Sequence, residues 1–209
     1  SILDAGQNKS LRHLDLGFNG VSVLGATALA EGLRHNEWLE TLELGYNSIL
    51  DAGLQALAAC VEVNTVLTSL GVPSNGISDA GVEELARALG HNRSLVHMGL
   101  SANKIGDSGA KHLASVLLLN NALQTLFLEE NDVKEDGEGA VALQHVLAST
   151  YRQRALSCDL QLAFAMGSHE RLGGDAKCSM HALDQNMLQE ICGWAHQKIR
   201  RDIQYYPRT

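Results

Sequence analysis

Apolar and polar residues alternate in three short stretches of one form, LRHLDL (11–16), LETLEL (39–44) and LQTLFL (123–128). Leucines fall on one side and polar or variable residues on the other, which is the pattern of a strand with one buried face. Between such stretches the apolar spacing lengthens. GLQALAAC (53–60) and GVEELARAL (81–89) carry aliphatic residues at steps of three and four, as a helix packed on one side requires.

The two patterns recur in phase. Asn19, Asn47, Asn75, Asn103 and Asn131 are each 28 residues apart. So are Gly25, Gly53, Gly81, Gly109 and Gly137, and Leu11, Leu39, Leu67, Leu95 and Leu123. A second asparagine column, Asn36, Asn64, Asn92 and Asn120, keeps the same step. A fixed period of this length means stacked strand–turn–helix units rather than one irregular domain. After each first-column Asn stands an aliphatic residue and, in four units, an acid: Asp51, Asp79, Asp107 and Glu135. An acid there suits the first turn of its own helix, where N–H groups lack partners. The second Asn column ends the helices, and Asn tolerates the left-handed conformation common at that place.

The run LETLELGYNSILDAGLQALAACVEVN and its siblings resemble leucine-rich repeats of the ribonuclease-inhibitor-like class. Similar repeats occur in NOD-like receptors, Ran GTPase-activating proteins and CARMIL-type actin regulators. The resemblance covers residues 1–147 and implies an α/β, right-handed leucine-rich-repeat solenoid. In this horseshoe arc a parallel sheet lines the concave face and helices the convex face. A partial first coil (1–10) precedes five 28-residue coils beginning at Leu11. The hexapeptide SILDAG occurs at 1–6 and again at 48–53. Since 14 residues separate Gly53 from Leu67 but only 5 separate Gly6 from Leu11, a segment is expected to be passed over between Gly6 and Gln7.

Beyond the repeats, residues 148–209 read as a C-terminal cap covering the last coil. ALSCDLQLAF suggests a strand at about 156–164, residues 165–178 a loop, and apolar spacing a helix at about 179–204. The chain does not begin with Met and is expected to be a piece of a longer protein.

Composition narrows the function. Aromatics make up 4% of the chain, as leucine ladders require, and the net charge is −8 with a pI near 5.5. An acidic chain argues against general nucleic-acid binding. No apolar run reaches a membrane span, and no signal peptide is read. Cys60, Cys158, Cys178 and Cys192 show no disulfide spacing, and Cys60 occupies an apolar helix position. A reducing, cytoplasmic setting is expected. The sequons at Asn8 and Asn92 lie in the structural Asn column, so repeat geometry accounts for them.

Candidate chemistry is sparse. Cys178, His181, Cys192 and His196 are zinc-ligand types, but one helix would separate His181 from Cys192 by about 16 Å along its axis, so the site is set aside. DVKEDG (132–137) imitates a calcium loop but has Lys134 at a ligand position and Leu143 where a Glu belongs. No cofactor and no catalytic set are expected. The outward column Asp15, Glu43, Gly71, Gly99, Phe127 runs across the predicted sheet, beside Phe18, Tyr46, Ser74, Ala102, Glu130 and Gly17, Gly45, Pro73, Ser101, Glu129. Asp15, Phe18, Glu43 and Tyr46 at one end, and Phe127, Glu129 and Glu130 at the other, join acids to aromatics of the kind found at interfaces. The small middle residues are expected to admit a partner's side chains closely.

The expected function is therefore non-catalytic recognition of a protein partner, basic in character, on the concave face. The resemblance also implies two alternatives: regulation of a small GTPase, or ligand sensing within a NOD-like receptor.

Overall fold

The computed structural model describes residues 9–134, 136–146 and 202–204. Strands and helices alternate: β1 (His13–Asp15), α1 (Val23–Leu33), β2 (Thr41–Glu43), α2 (Leu50–Val61), β3 (Ser69–Gly71), α3 (Asp79–His91), β4 (His97–Gly99), α4 (Asp107–Leu117) and β5 (Thr125–Phe127). Residues 138–146 belong to α5, and Asp202–Gln204 form β6. The six strands make one parallel sheet in chain order.

From β1 to β5 the register repeats the sequence period. Leu14 pairs with Leu42, Leu42 with Leu70, Leu70 with Met98 and Met98 with Leu126. This central residue faces the helices, and from Leu42 to Leu126 it is fully buried. Each coil adds flanking residues to the same core, as with Leu39, Leu44, Ile49, Leu54 and Leu57 in the second. Coil 1 lacks a described neighbour on its outer side, and its Leu11, Leu14 and Leu16 are only half-buried.

Both Asn columns stitch one coil to the next. Asn103 Nδ2 donates to the carbonyls of Val72 (3.0 Å), Leu100 (2.9 Å) and Ser101 (3.2 Å), while its Oδ1 accepts from Asn75 N (3.0 Å) and Ile77 N (3.1 Å). Asn47, Asn75 and Asn131 make corresponding bonds. In the second column Asn92 Nδ2 donates to Val61 O (2.7 Å) and Asn64 O (3.1 Å), and Oδ1 accepts from the N–H groups of Ser94 and Leu95. Such groups must be paired when buried, so the asparagines are structural. With its amide so engaged, Asn92 cannot take a sugar in the folded chain.

Two expectations about helix ends change. Asn92 is extended (φ −69°, ψ 140°), not left-handed: its backbone N–H closes α3 on Ala88 O, while its side chain turns to the end of α2 and to the turn that follows. At the other rim one left-handed position recurs in every coil: Phe18, Tyr46, Ser74, Ala102 and Glu130, with φ between 52° and 59°. There the backbone N–H of Tyr46 donates to Pro73 O and that of Ser74 to Ser101 O in the neighbouring coil. The interstrand bond holds a conformation that otherwise costs about 1–2 kcal/mol.

The acids also act across coils. Asp51 sits in the first turn of α2, but its Oδ1 accepts from Ser78 N (2.7 Å) and Gly81 N (3.2 Å) at the start of α3. Its Oδ2 accepts from Ser78 Oγ (2.7 Å). Asp79 serves Gly106 and Gly109 of the next coil in the same way. This explains the later glycines of the column: a Cβ on Gly81 would lie 2.7 Å from Asp51 Oδ1, and one on Gly109 2.6 Å from Asp79 Oδ1. Coil 1 has Val23 where the acid belongs. The start of α2 therefore receives no carboxylate; Leu50 turns left-handed (φ 56°) and donates its N–H to Asn75 O instead.

At the far end, Asp202–Gln204 pairs with Thr125–Phe127, and Ile203 takes the register place of the leucine column. Those three residues were expected to end the final helix. They are a strand because the edge of β5 offers unpaired backbone groups, which a short run containing Ile can pair. The rest of that helix, the strand expected at 156–164, the loop at 165–178 and the join between Gly6 and Gln7 lie outside the described residues.

Candidate interaction surface

The residues flanking the buried column of each strand point away from the helices and make two outward rows. One is Asp15, Glu43, Gly71, Gly99 and Phe127, in the register expected. The other, unremarked in the sequence, is His13, Thr41, Ser69, His97 and Thr125. Its two histidines are exposed, and the 28-residue step from His13 through Thr41 was signal enough to find it.

Phe18 and Tyr46 meet. Their rings stack with centroids 4.2 Å apart and planes 9° from parallel, yet they remain 77% and 56% exposed. Equivalent left-handed turns in adjacent coils hold them side by side, one strand spacing apart. Three residues earlier stand Asp15 and Glu43, paired across β1 and β2. Asp15 Oδ1 accepts from Gly17 N at 2.8 Å. Glu43 is half-buried; its carbonyl accepts from Leu16 N, but its carboxylate has no hydrogen bond or ion pair among the described residues. Burial first, and the neighbouring Asp15 second, raise its carboxyl above the ordinary range. Its carboxylate lies over Gly71, where a Cβ would collide with it. The small residue in coil 3 is therefore already covered from within, rather than left open for a partner.

The other predicted group is built differently. Glu129 accepts from Ser101 Oγ at 2.5 Å, Phe127 is half-buried between β4 and β6, and Glu130 occupies the exposed left-handed turn. Three strand steps, about 14 Å, separate this group from Glu43, so the seven predicted residues form two patches. Arg12, on the same coil, is engaged: its guanidinium lies 4.9 Å from the Trp38 ring centroid, donates to Trp38 O (3.0 Å) and pairs with Glu40 (3.5 Å).

Elsewhere little chemistry is assembled. Among the described residues no group of three or more His, Cys, Asp or Glu could hold a metal, and no helix is long and apolar enough to cross a membrane. Cys178, His181, Cys192 and His196 lie outside the described residues. Cys60 is buried, and burial pushes its thiol up to about 11.

Comparisons agree with the period and the fold. A leucine-rich-repeat family model matches residues 7–30, 35–58, 63–86 and 91–114, each match stepping by the 28 residues of the columns. No curated protein matches the chain significantly. Among solved structures, the actin-binding site 2 of leiomodin-1 is similar with a TM-score of 0.57 at 19% identity, over 77% of this chain and 91% of that one. The C-terminal domain of tropomodulin from Caenorhabditis elegans is similar with a TM-score of 0.59 at 17% identity, over 75% and 93%. Likeness at this identity speaks for the fold. With the strand–helix coil, the two asparagine ladders and the matched repeats in one register, the chain belongs to the leucine-rich-repeat proteins.

Proposed function

We propose that the chain is a non-catalytic recognition module that binds a protein partner of basic character on its sheet face. Asp15, Phe18, Glu43 and Tyr46 form the main contact, with Phe127, Glu129 and Glu130 as a second. The exposed Phe18–Tyr46 stack beside the unpaired Glu43 carries this reading. Paired rings left in water next to a half-buried charge are poorly placed for stability and well placed for an interface, where aromatic residues dominate binding. Residues 148–209 serve as the cap, a role supported by the pairing of β6 with β5. Cys60 as a buried free thiol accords with a cytoplasmic setting.

The test is quantitative capture of partners by the full chain and by a Phe18→Ala, Glu43→Ala, Tyr46→Ala variant with an unchanged circular-dichroism spectrum. The principal partner should be lost with the variant; retention places binding elsewhere. Because a similar leiomodin domain is described as an actin-binding site, actin is the first defined partner to assay, by co-sedimentation and by polymerisation rate. No effect on actin removes that partner and leaves the module reading intact. A GTP-hydrolysis assay on small GTPases separates the regulatory alternative.

A further inference from the structure

We propose that the strand-to-helix rim of coils 1 and 2 seats an arginine side chain of the protein partner. Its guanidinium lies against the Phe18–Tyr46 stack and donates to the Asp15 and Glu43 carboxylates. The inference rests on the sheet-face reading above and narrows it to one residue type at one end of the array.

Four of the exposed large apolar residues gather after β1 and β2. Phe18, Tyr46, Leu24 (81% exposed) and Leu50 (49%) all follow β1 or β2, on the turn or at the helix start. In later coils the position of Phe18 is filled by Ser74, Ala102 and Glu130, and that of Leu24 by Ala80, Ser108 and Asp136. The patch is thus a departure of two coils from the rest of the array. Its backbone is held in place, since Phe18 N donates to Gly45 O (3.0 Å) and Tyr46 N to Pro73 O (2.9 Å). Preorganised rings lose little freedom on binding.

Charge selects the occupant. Asp15 and Glu43 face each other across adjacent strands, and Arg12 is committed to Trp38 and Glu40. A half-buried Glu43 beside the like charge of the exposed Asp15 is costly, and a cation shared by the two removes the repulsion. The rings lie three residues beyond the acids, at most about 10 Å along the chain between Cα atoms. Arginine satisfies both halves because its plane stacks on an aromatic face while its edge donates to carboxylates; an ammonium cannot do both. Leu24 and Leu50 supply apolar surface for the residues beside it.

The experiment pans a display library of random cysteine-free 12-residue peptides against the full chain, then measures the selected peptides by fluorescence anisotropy. Selected peptides should carry an arginine flanked by an apolar residue. Changing that arginine to lysine should weaken binding at least threefold, and to the uncharged isostere citrulline at least tenfold. On the protein, Glu43→Gln and Tyr46→Ser should each weaken binding tenfold. Tyr46→Ser should fold normally, since Ser74 fills the same left-handed turn in coil 3. Glu83→Gln, exposed on α3 and outside the proposed contact, should change nothing. A library without binders, binders without arginine, or binding indifferent to Glu43 and Tyr46 overturns the proposal. If arginine proves dispensable while partner capture still requires Phe18 and Tyr46, the arginine seat falls and the sheet-face reading stands.

Discussion

Removing Asp51 tests whether the acids hold the array together across coils. The Asp51 carboxylate accepts three hydrogen bonds from the start of α3: two from backbone N–H groups and one from the Ser78 hydroxyl. Loss of a helix-capping acceptor costs about 1 kcal/mol. Loss of a negative charge at a partly buried helix start adds roughly 1–2 kcal/mol. Asp51→Ala should therefore cost about 2–3 kcal/mol in urea unfolding followed by circular dichroism. Asp51→Asn keeps an acceptor oxygen and loses the charge, so about 1 kcal/mol is expected. Hydrogen exchange of the Ser78 and Gly81 amides should quicken in the Ala variant and much less in the Asn variant.

The glycine column supplies the control. Alanine at Gly81 would gain roughly 1 kcal/mol of helix propensity, but its Cβ would stand 2.7 Å from Asp51 Oδ1 and 3.1 Å from Asp51 Cα. Gly81→Ala should destabilise the wild-type chain and do so less, or even stabilise it, when Asp51 is already Ala. A coupling of about 1 kcal/mol or more in the double-mutant cycle is the expected sign of contact. The reasoning is refuted if Asp51→Ala lies within about 0.5 kcal/mol of wild type with α3 exchange unchanged, or if the two substitutions simply add.

Asn103→Ala should cost about 3–5 kcal/mol in urea unfolding, since four buried backbone groups and one partly buried one lose a partner at once; a cost below about 1 kcal/mol would mean water replaces the side chain. Cys60 should resist alkylation in the native chain and react fully in urea, read by peptide mass spectrometry. Burial moves that thiol from 9.0 to about 11, so its contribution to stability is complete below pH 9 and is lost as pH rises toward 11, where the unfolded chain ionises first. Glu43→Gln should raise the melting temperature at pH 7, because the folded state holds the Glu43 carboxylate less comfortably than water does; a lower melting temperature would mean an ionic partner holds that carboxylate.

The coil, its period and the outward rows were legible because each is a statement about spacing, and the step of 28 converts spacing directly into register. What escaped was contact between coils. Asp51 read as the cap of its own helix because only chain neighbours are visible along a sequence, whereas its partners stand 27 and 30 residues on. The left-handed turn was equally hidden, since its occupants are Phe, Tyr, Ser, Ala and Glu, with no glycine to announce it. Asp202–Gln204 could not be placed beside β5 by period, for residue 153 stands one regular step beyond Thr125. At the candidate surface, the adjacency of Phe18 and Tyr46 followed from the step, but the parallel stack and the fold of Glu43 over Gly71 did not.

Stability and recognition use different columns of this repeat. The leucines, both asparagine ladders and the acid–glycine pairs point inward or toward a neighbouring coil, and each is damaged by variation. The outward rows and the left-handed turn contribute no packing to the core, so their residues can change from coil to coil without unfolding the array. Ser74 and Ala102 show what the turn requires when nothing else is asked of it: a small residue at a positive φ. Phe18 and Tyr46 hold the same backbone with large rings exposed to water, which the coil does not need. Glu43 likewise sits unpaired where Gly71 and Gly99 would serve the sheet as well. Departures that the repeat tolerates but does not require, clustered in two adjacent coils, are where selection for a partner can act at least cost to the fold.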